Sequence, residues 1–463
     1  MTSFLGLARA TPASRRRHVD LLRAVAICAV VVGHWLLINV TRTADGMLTG
    51  HNALPQLTVL HPATWLFQVM PLFFFVGGVS SAISWTRHRA KNGKAAAWLS
   101  GRSARLFPAT SVLLLVAVVG AALAGWAGAP DPLIAEVVHM VAMPLWFLVV
   151  YLLVIVATPV MYALHQRFGL AVPALLIALV AVGDVLMFTT GNRDLAFGNN
   201  IFGWFAIYQL GFAYQDESLR LTPRRAAVVL LASVAVLTLM VTAGPYPLSM
   251  VSVPGERFQN AAPLSAALIV LGFAQIAVAA LIAQPADRWL ARNLRAWAAV
   301  IAVNAVIFTV FLWHMAAAFL AALVLDGLGW LPAAPVASAG WWVGRLPWML
   351  ACAVVLALVV VVAGQARRAE WAVTRLRPAS GIGVPAVTAS LPVVVAAYIA
   401  GGYGMFLIAS AGLGPHGPLI LPTSGLILIL AAALALRLGR YATASDGGPD
   451  PVFPVRGVSA GRG

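Results

Sequence analysis

Long apolar runs recur along the whole chain and are separated by short polar connections. Each run is close to the ~20 residues that an α-helix needs to cross the hydrocarbon core of a bilayer. The runs are continuously apolar and do not alternate as barrel strands do, so the pattern predicts membrane-spanning helices. Twelve spans are predicted near residues 19–40, 65–85, 105–128, 144–165, 169–190, 200–215, 225–243, 261–283, 299–325, 341–364, 386–411 and 416–437.

The composition supports the same interpretation, since 61% of the 463 residues are apolar and only 10% are charged. Soluble domains are about half apolar and a quarter charged. The predicted fold class is therefore all-α, a polytopic transmembrane helical bundle of about 12 spans. No stretch has the composition of a separate globular domain.

The formal net charge of +16 follows the predicted topology. Of the 30 Lys and Arg residues, only Arg42, Arg193, Arg257 and Arg345 fall on one side, which leaves 26 on the other. By the positive-inside rule both termini are cytoplasmic, and the chain is expected to be a multi-pass protein of the cytoplasmic membrane whose first span is an uncleaved signal anchor. Because the basic residues do not form one patch, no nucleic-acid partner is predicted.

The first span carries the ionisable residues that are most unusual for a membrane segment. Asp20 and Arg23 lie near its cytoplasmic end, and His34 lies about 22 Å further along a helix that begins near Val19. The eleven residues between Arg23 and His34 amount to about three turns plus 20°, so both point to one face, about 16 Å apart. A neutral imidazole at this depth suits general-base chemistry. The alternatives are that Arg23 extends to the headgroups and that His34 only bonds a neighbouring helix.

A second histidine, His314 in the ninth span, lies at a depth similar to that of His34. The two imidazoles are interpreted either as a relay or as two hydrogen-bonded core histidines. Asp184 lies near the outer end of the fifth span, and Asp326 and Arg345, which border the outer loop after the ninth span, are expected to be solvated.

The cytoplasmic connection before the third span contains Arg102 and Arg105, which lie three residues apart and share a helical face. Such basic loops often only set the orientation of the chain. The sharper hypothesis is that the two guanidinium groups bind the phosphates of a cofactor. In the second span, the small residues Gly77, Gly78, Ser80 and Ser81 are expected to allow close helix approach.

Several other chemistries have no sequence support. The chain has no phosphate-binding G-x-x-x-x-G-K-[ST] loop, no H-E-x-x-H zinc motif and no G-x-S-x-G motif. Cys28 and Cys352 both lie within predicted spans, so neither a disulfide framework nor a metal site is predicted and both are expected to be packing residues. A soluble-type nucleotide hydrolase, a metalloprotease and a serine hydrolase are thereby excluded.

Taken together, the motifs resemble acyltransferase family 3, the bacterial integral-membrane O-acyltransferases that modify sugars, polysaccharides and macrolides. The resemblance spans most of the first ten helices. It rests on Asp20, Arg23 and His34, on the run 71–78, on Arg102, Arg105 and Pro108, on the run 146–148, and on Trp313 with His314. The chain departs from the family pattern at Gly77, where serine is more common, and in its last two predicted spans.

The resemblance implies transfer of an acyl group, with acetyl the first expectation, from cytoplasmic acyl-CoA to a hydroxyl. The acceptor is expected to be a glycan, a lipid-linked sugar or a secondary metabolite, and acyl-CoA is a co-substrate, with no bound cofactor or metal. His34 is then the general base or a transient acyl carrier, and Arg23 stabilises the oxyanion or positions the thioester. Asp20 and His314 complete the candidate catalytic set, and Arg102 and Arg105 hold the phosphates.

The resemblance also implies a division of the chain. Residues 1–18 form a basic cytoplasmic N-terminus, 19–364 the ten-helix acyltransferase core, 365–440 a cytoplasmic loop and an additional transmembrane hairpin, and 441–463 a disordered tail. No esterase-like domain is fused to the core.

Two other classes of function fit the hydropathy profile. A secondary transporter has a similar number of spans, but the chain shows few buried acidic residues beyond Asp184 and no evident half-to-half repeat. A non-catalytic scaffold or sensor with the same fold predicts that His34→Ala has no effect.

Overall fold

The computed structural model describes residues 3–43, 46, 48–376, 386–411 and 421–445. Helices dominate these residues. In chain order they are α1 (Phe4–Arg9), α2 (Arg17–Leu37), α3 (Thr64–Phe67), α4 (Met70–Arg89), α5 (Ala95–Trp126), α6 (Asp131–Ala142), α7 (Leu145–Phe168), α8 (Ala171–Thr190), α9 (Asn199–Gln215), α10 (Pro223–Thr242), α11 (Ala266–Arg292), α12 (Leu294–Gly327), α13 (Ala339–Leu376), α14 (Leu391–Ser410) and α15 (Thr423–Ser445).

Within the described part of the chain, eleven helical segments are long and apolar enough to cross a membrane. One of them, Asp131–Phe168, combines α6 and α7. Eleven of the twelve predicted spans fall on these segments, and an all-α polytopic bundle is confirmed. The sixth predicted span, 200–215, corresponds to α9, which at 17 residues is shorter than the others and lies among α4, α7 and α8.

Close backbone contact joins α4 to α9. A methyl group added at Gly78 would clash with the carbonyl oxygen of Tyr208, and one added at Gly211 would clash with the carbonyl oxygen of Phe75. Small residues let helices approach in this way, as predicted for the second span. Gly77 is different, because a methyl group there would meet Tyr208 at an ordinary 3.6 Å.

A small antiparallel hairpin at the end of α2 is the one exception to the helical prediction among the described residues. Strand β1 (Ile38–Arg42) pairs with β2 (Leu48–Asn52), with Ile38 opposite Asn52. The span predicted to reach residue 40 therefore ends at Leu37. β-Branched residues in β1 favour the extended conformation. The hairpin docks on α6, since the Gly50 amide donates to the Glu136 carboxylate at 2.6 Å.

The last two helices pack on the rest of the bundle, α14 against α7 and α5, and α15 against α5. Before them, α13 continues as helix to Leu376, so the segment from 365 expected to be a loop is helical over that part. The tail predicted for 441–463 begins as helix, since α15 extends to Ser445, and residues 446–463 lie outside the described residues.

Candidate active site

The structure brings His34 of α2 and His314 of α12 into direct contact. Nδ1 of His34 lies 2.8 Å from Nε2 of His314, and the two rings are nearly parallel, with 5.1 Å between their centroids. The side chain of His314 is fully buried, whereas His34 is only partly buried. Part of His34 is therefore exposed, whereas His314 is enclosed by its neighbours.

The hydrogen bonds of His314 determine the tautomers of both rings. Nδ1 of His314 lies 2.7 Å from the carbonyl oxygen of Phe311. A carbonyl only accepts, so this nitrogen carries the proton, and Nε2 of a neutral His314 is an acceptor. Nδ1–H of His34 must then be the donor between the rings. The remaining nitrogen of His34, Nε2, therefore has the free lone pair that a general base needs.

Two tryptophans fix the backbones that carry the histidines. Trp35, the residue after His34, donates its indole N–H to the carbonyl of His314 at 2.8 Å. Trp348 of α13 donates its own indole N–H to the carbonyl of Trp35 at 2.7 Å. Both tryptophans are buried. Three helices are thus tied together at the level of the imidazole pair.

Arg345 of α13 is buried, with 4% of its surface exposed, and not solvated as predicted. Its guanidinium donates to the carbonyl of Ile38 at 2.7 Å and to the side-chain oxygen of Asn39 at 3.0 Å. It packs on the rings of Trp341 and Trp348, 4.5 and 5.6 Å from their centroids. The prediction was wrong because the hairpin of β1 and β2 covers this end of α13. A signal was present, since tryptophans four residues before and three residues after an arginine share its helical face.

In the first turns of α2, Asp20 and Arg23 lie beside each other. Arg15 binds the Asp20 carboxylate at 2.7 Å, whereas Arg23 is 3.8 Å from it. Arg23 also donates to the hydroxyl of Ser80 on α4 at 2.5 Å. Asp20 is thus paired mainly with Arg15, and the charge of Arg23 is only partly compensated.

Arg102 of α5 contacts α4, the helix that Arg23 also contacts. It donates to the hydroxyl of Ser84, and its guanidinium sits 4.6 Å above the ring centroid of Trp98. Ser80 and Ser84 are four residues apart, so the two arginines meet neighbouring positions on one face of α4, about 6 Å apart along the axis. Arg105 is exposed and extends from α5 without an ion pair to any described residue.

An aromatic cluster lies between the level of Arg23 and the level of the histidines. Phe147 of α7 stacks on Tyr151, with centroids 5.6 Å apart, and meets the edge of Phe311 at 5.0 Å. Phe311 is in turn 6.1 Å from His314. Phe147 belongs to the motif in the fourth span, and its neighbour Trp146 is 41% exposed on the outside of the bundle. The structure therefore unites His34 with His314 and Asp20 with Arg23, but leaves the two groups separated along α2.

Asp184 of α8, near the end of the fifth predicted span, is buried at 1% exposure. Its carboxylate accepts from Asn199 at 2.9 Å, from the hydroxyl of Tyr246 at 3.0 Å and from the backbone of Ala266 at 2.7 Å. The loop between α10 and α11 folds back over it, and burial together with this carboxylate raises the pKa of Tyr246. Three donors make Asp184 a fully bonded structural carboxylate.

The remaining predicted residues take simpler positions. Asp326 forms an ion pair at 2.6 Å with Arg42, the last residue of β1. Cys352 is buried as expected, but Cys28 is exposed on α2, so it is not a packing residue. Among the described residues, no group of histidine, cysteine and acidic side chains is arranged to hold a metal ion.

A sequence model of the acyltransferase domain of acyltransferase family 3 matches residues 16–364 of the chain. The match includes His34, His314, Arg23, Arg102 and Arg105, and it ends before α14. No curated protein and no solved structure matches the chain.

Proposed function

Because the chain belongs to acyltransferase family 3, we propose that this membrane acyltransferase moves an acetyl group from cytoplasmic acetyl-CoA to a hydroxyl. The acceptor is a cell-envelope glycan, a lipid-linked sugar or a secondary metabolite presented towards the outer side of the cytoplasmic membrane. His34 is the residue at which transfer takes place.

The observation that carries the proposal is the hydrogen bond from His34 to His314, because it leaves Nε2 of His34 as a base. Nε2 takes the proton of the acceptor hydroxyl as the oxygen attacks the thioester carbonyl. The carbon–sulfur bond then breaks, and Nε2–H returns the proton to the departing thiolate. Ester and free coenzyme A result, and His34 regains its initial state. His314 accepts from Nδ1–H throughout and so stabilises the transient imidazolium.

The spacing along α2 assigns a different task to Arg23. It lies about 16 Å from His34 along the helix axis, which is too far for both to touch one reacting carbonyl. This separation favours a positioning role for Arg23, whose incompletely paired charge binds the polar arm of the donor below the reacting thioester. The hydroxyl of Ser80 orients Arg23, and Asp20, 3.8 Å away, balances part of its charge.

Arg102 and Arg105 hold the phosphates of the donor at the cytoplasmic mouth. Arg102 is pre-oriented by the hydroxyl of Ser84 and the ring of Trp98, and Arg105 is exposed and available. Guanidinium groups bind phosphate oxygens through paired, charge-assisted hydrogen bonds. The charged end of the donor thus stays at the membrane surface, and only its uncharged arm enters the bundle.

The test uses purified protein in nanodiscs with acetyl-CoA and crude envelope glycans as acceptors. Released thiol gives the rate, and mass spectrometry of the glycans identifies the acetylated product. The variants are His34→Ala and, as a matched control, His165→Ala, which removes another buried histidine at the cytoplasmic end of α7. Loss of a general base lowers the rate by about 10²- to 10⁴-fold.

We expect acceptor-dependent thiol release by wild type and by His165→Ala, and its loss in His34→Ala at unchanged thermal stability. Full turnover by His34→Ala would overturn the catalytic assignment of His34. Failure of wild type to bind acetyl-CoA would overturn the donor assignment, and ion-coupled uptake of substrate into proteoliposomes would then identify a transporter.

A further inference from the structure

The hairpin of α14 and α15 lies beyond the residues that match the family, yet it is tightly built. A methyl group added at Gly404 would lie 2.6 Å from the carbonyl oxygen of Gly425, and one added at Gly425 would lie 2.8 Å from the carbonyl oxygen of Gly404. The two backbones are therefore in direct contact, as in close glycine-mediated helix pairs in membranes. Such a pair acts as a stiff unit.

This unit contacts α5 on both sides of the arginine pair. The hydroxyl of Tyr398 donates to the carbonyl of Leu99 at 2.8 Å, and only 1% of Tyr398 is exposed. The ring of Tyr398 also meets the edge of Phe107, with centroids 5.7 Å apart. Leu99 precedes Arg102 by three residues, and Phe107 follows Arg105 by two. The hairpin therefore holds the segment that carries the two arginines at each of its ends.

The packing around Phe107 is tight. A methyl group added at Gly401 of α14 would clash with the ring of Phe107, which is 1% exposed. The ring thus lies directly against the backbone of α14. Close packing of this kind transmits displacements, because there is no free volume to absorb them.

The arginine segment needs such support because Pro108 lies inside α5, directly after Phe107. A proline within a helix removes the hydrogen bond to the carbonyl four residues earlier and crowds that carbonyl. The cytoplasmic part of α5, with Arg102 and Arg105, is therefore joined to the rest of the helix across a weakened turn. Contacts from outside α5 must fix its direction.

We propose that the C-terminal hairpin is a positioning element of the donor site, and that Tyr398 is the positioning residue through which it fixes the arginine segment for the nucleotide phosphates of acyl-CoA. The inference rests on the proposed function. It predicts that damage to this contact weakens recognition of the nucleotide end of the donor and leaves the chemistry at His34 unchanged.

The test compares Tyr398→Phe with Tyr403→Phe, both of which remove one hydroxyl from α14. Tyr403 is 55% exposed on the outside of the bundle, so its change is the matched control. Each protein is assayed in nanodiscs with two donors, acetyl-CoA and acetyl-pantetheine, which lacks the nucleotide and its phosphates. The hydrogen bond lost in Tyr398→Phe corresponds to about a two- to tenfold change in an equilibrium constant.

The expected result is a rise of about two- to tenfold in KM for acetyl-CoA in Tyr398→Phe, with kcat unchanged and KM for acetyl-pantetheine unchanged. Turnover of acetyl-pantetheine also reports that the variant is folded. Equal effects on both donors, a fall in kcat, or kinetics identical to those of Tyr403→Phe would overturn the inference while leaving the proposed function intact. Absence of acetyl-CoA binding by wild type would overturn both.

Discussion

Replacement of His314 by alanine tests how the imidazole pair works. In the structure, the side chain of His314 is fully buried, so we expect it to act on a substrate only through its contact with His34. Its Nε2 accepts the Nδ1–H bond of His34 at 2.8 Å. Without this acceptor, the ring of His34 is free to rotate and to adopt the other tautomer. We therefore expect His314→Ala to reduce kcat while His34 remains present.

The size of the effect follows from the charge that His34 acquires. When Nε2 takes the hydroxyl proton, His34 becomes an imidazolium, and its bond to His314 becomes charge-assisted. Hydrogen bonds to charged groups contribute about 1.5–3 kcal/mol, which corresponds to about a 10- to 150-fold loss of rate. Replacement of His34 removes the general base itself and lowers the rate by about 10²- to 10⁴-fold. His314→Ala should thus be impaired, but less than His34→Ala.

A double-mutant cycle separates this positioning role from an independent one. If His314 acts only through His34, the double alanine variant is no slower than His34→Ala alone. His314→Gln should regain part of the rate, because its amide oxygen can accept from Nδ1–H. His165→Ala controls for the cavity left by a buried histidine. Multiplicative losses in the double variant, or a His314→Ala rate equal to wild type, would refute the reasoning.

Three further predictions concern packing, donor binding and pH. Gly78→Ala should lower the free energy of unfolding, measured by thermal denaturation in detergent, by about 1–3 kcal/mol, because the added methyl group forces α4 away from α9. Gly77→Ala should change this free energy by less than about 1 kcal/mol, because there is room for a methyl group at Gly77. Arg102→Lys should raise KM for acetyl-CoA about tenfold without changing kcat, because lysine loses the planar fork and the stacking on tryptophan; an unchanged KM would remove Arg102 from the donor site. Asp216 follows the last residue of α9. Burial raises its pKa, but hydrogen bonds from Ser218 and His165 outweigh this effect, so the pKa is lowered. The stabilisation by the Asp216 carboxylate is therefore complete above its ordinary pKa of about 4 and is lost as the pH falls through the lowered value. The unfolding curves of wild type and Asp216→Asn should converge at acid pH. A difference in stability that persists there would contradict the assignment.

The positions of the helices were predictable because the bilayer imposes one length scale on every span. The sixth span was predicted at 200–215, and α9 occupies Asn199–Gln215. The spacing within α2 likewise placed His34 at the depth of His314. Local patterns were less informative outside the membrane, where the hairpin of β1 and β2 and the helical extension of α13 to Leu376 were not predicted.

The partners of the polar residues were not predictable, since they depend on which helices become neighbours. Arg345 is assigned to an outer loop by sequence, but the hairpin of β1 and β2 brings Asn39 to its guanidinium and buries it. Apart from its position next to His34, nothing in the sequence indicates a partner for Trp35. Its bond to the His314 carbonyl exists only because α2 packs on α12.

The pairing of two histidines, and not of a histidine with a carboxylate, follows from where the pair lies. In water-accessible sites a carboxylate often orients the catalytic imidazole. A carboxylate at the depth of His34 would have to be removed from water at a cost of several kcal/mol. His314 fixes the same tautomer without any charge, because its own Nδ1–H is bonded to the carbonyl of Phe311. The charged groups lie instead near the N-terminal end of α2, where Arg23 and Arg102 would meet the proposed phosphorylated donor, and the aromatic cluster around Phe147 divides the two regions. This division matches a donor whose reactive thioester is neutral and whose distant end is anionic.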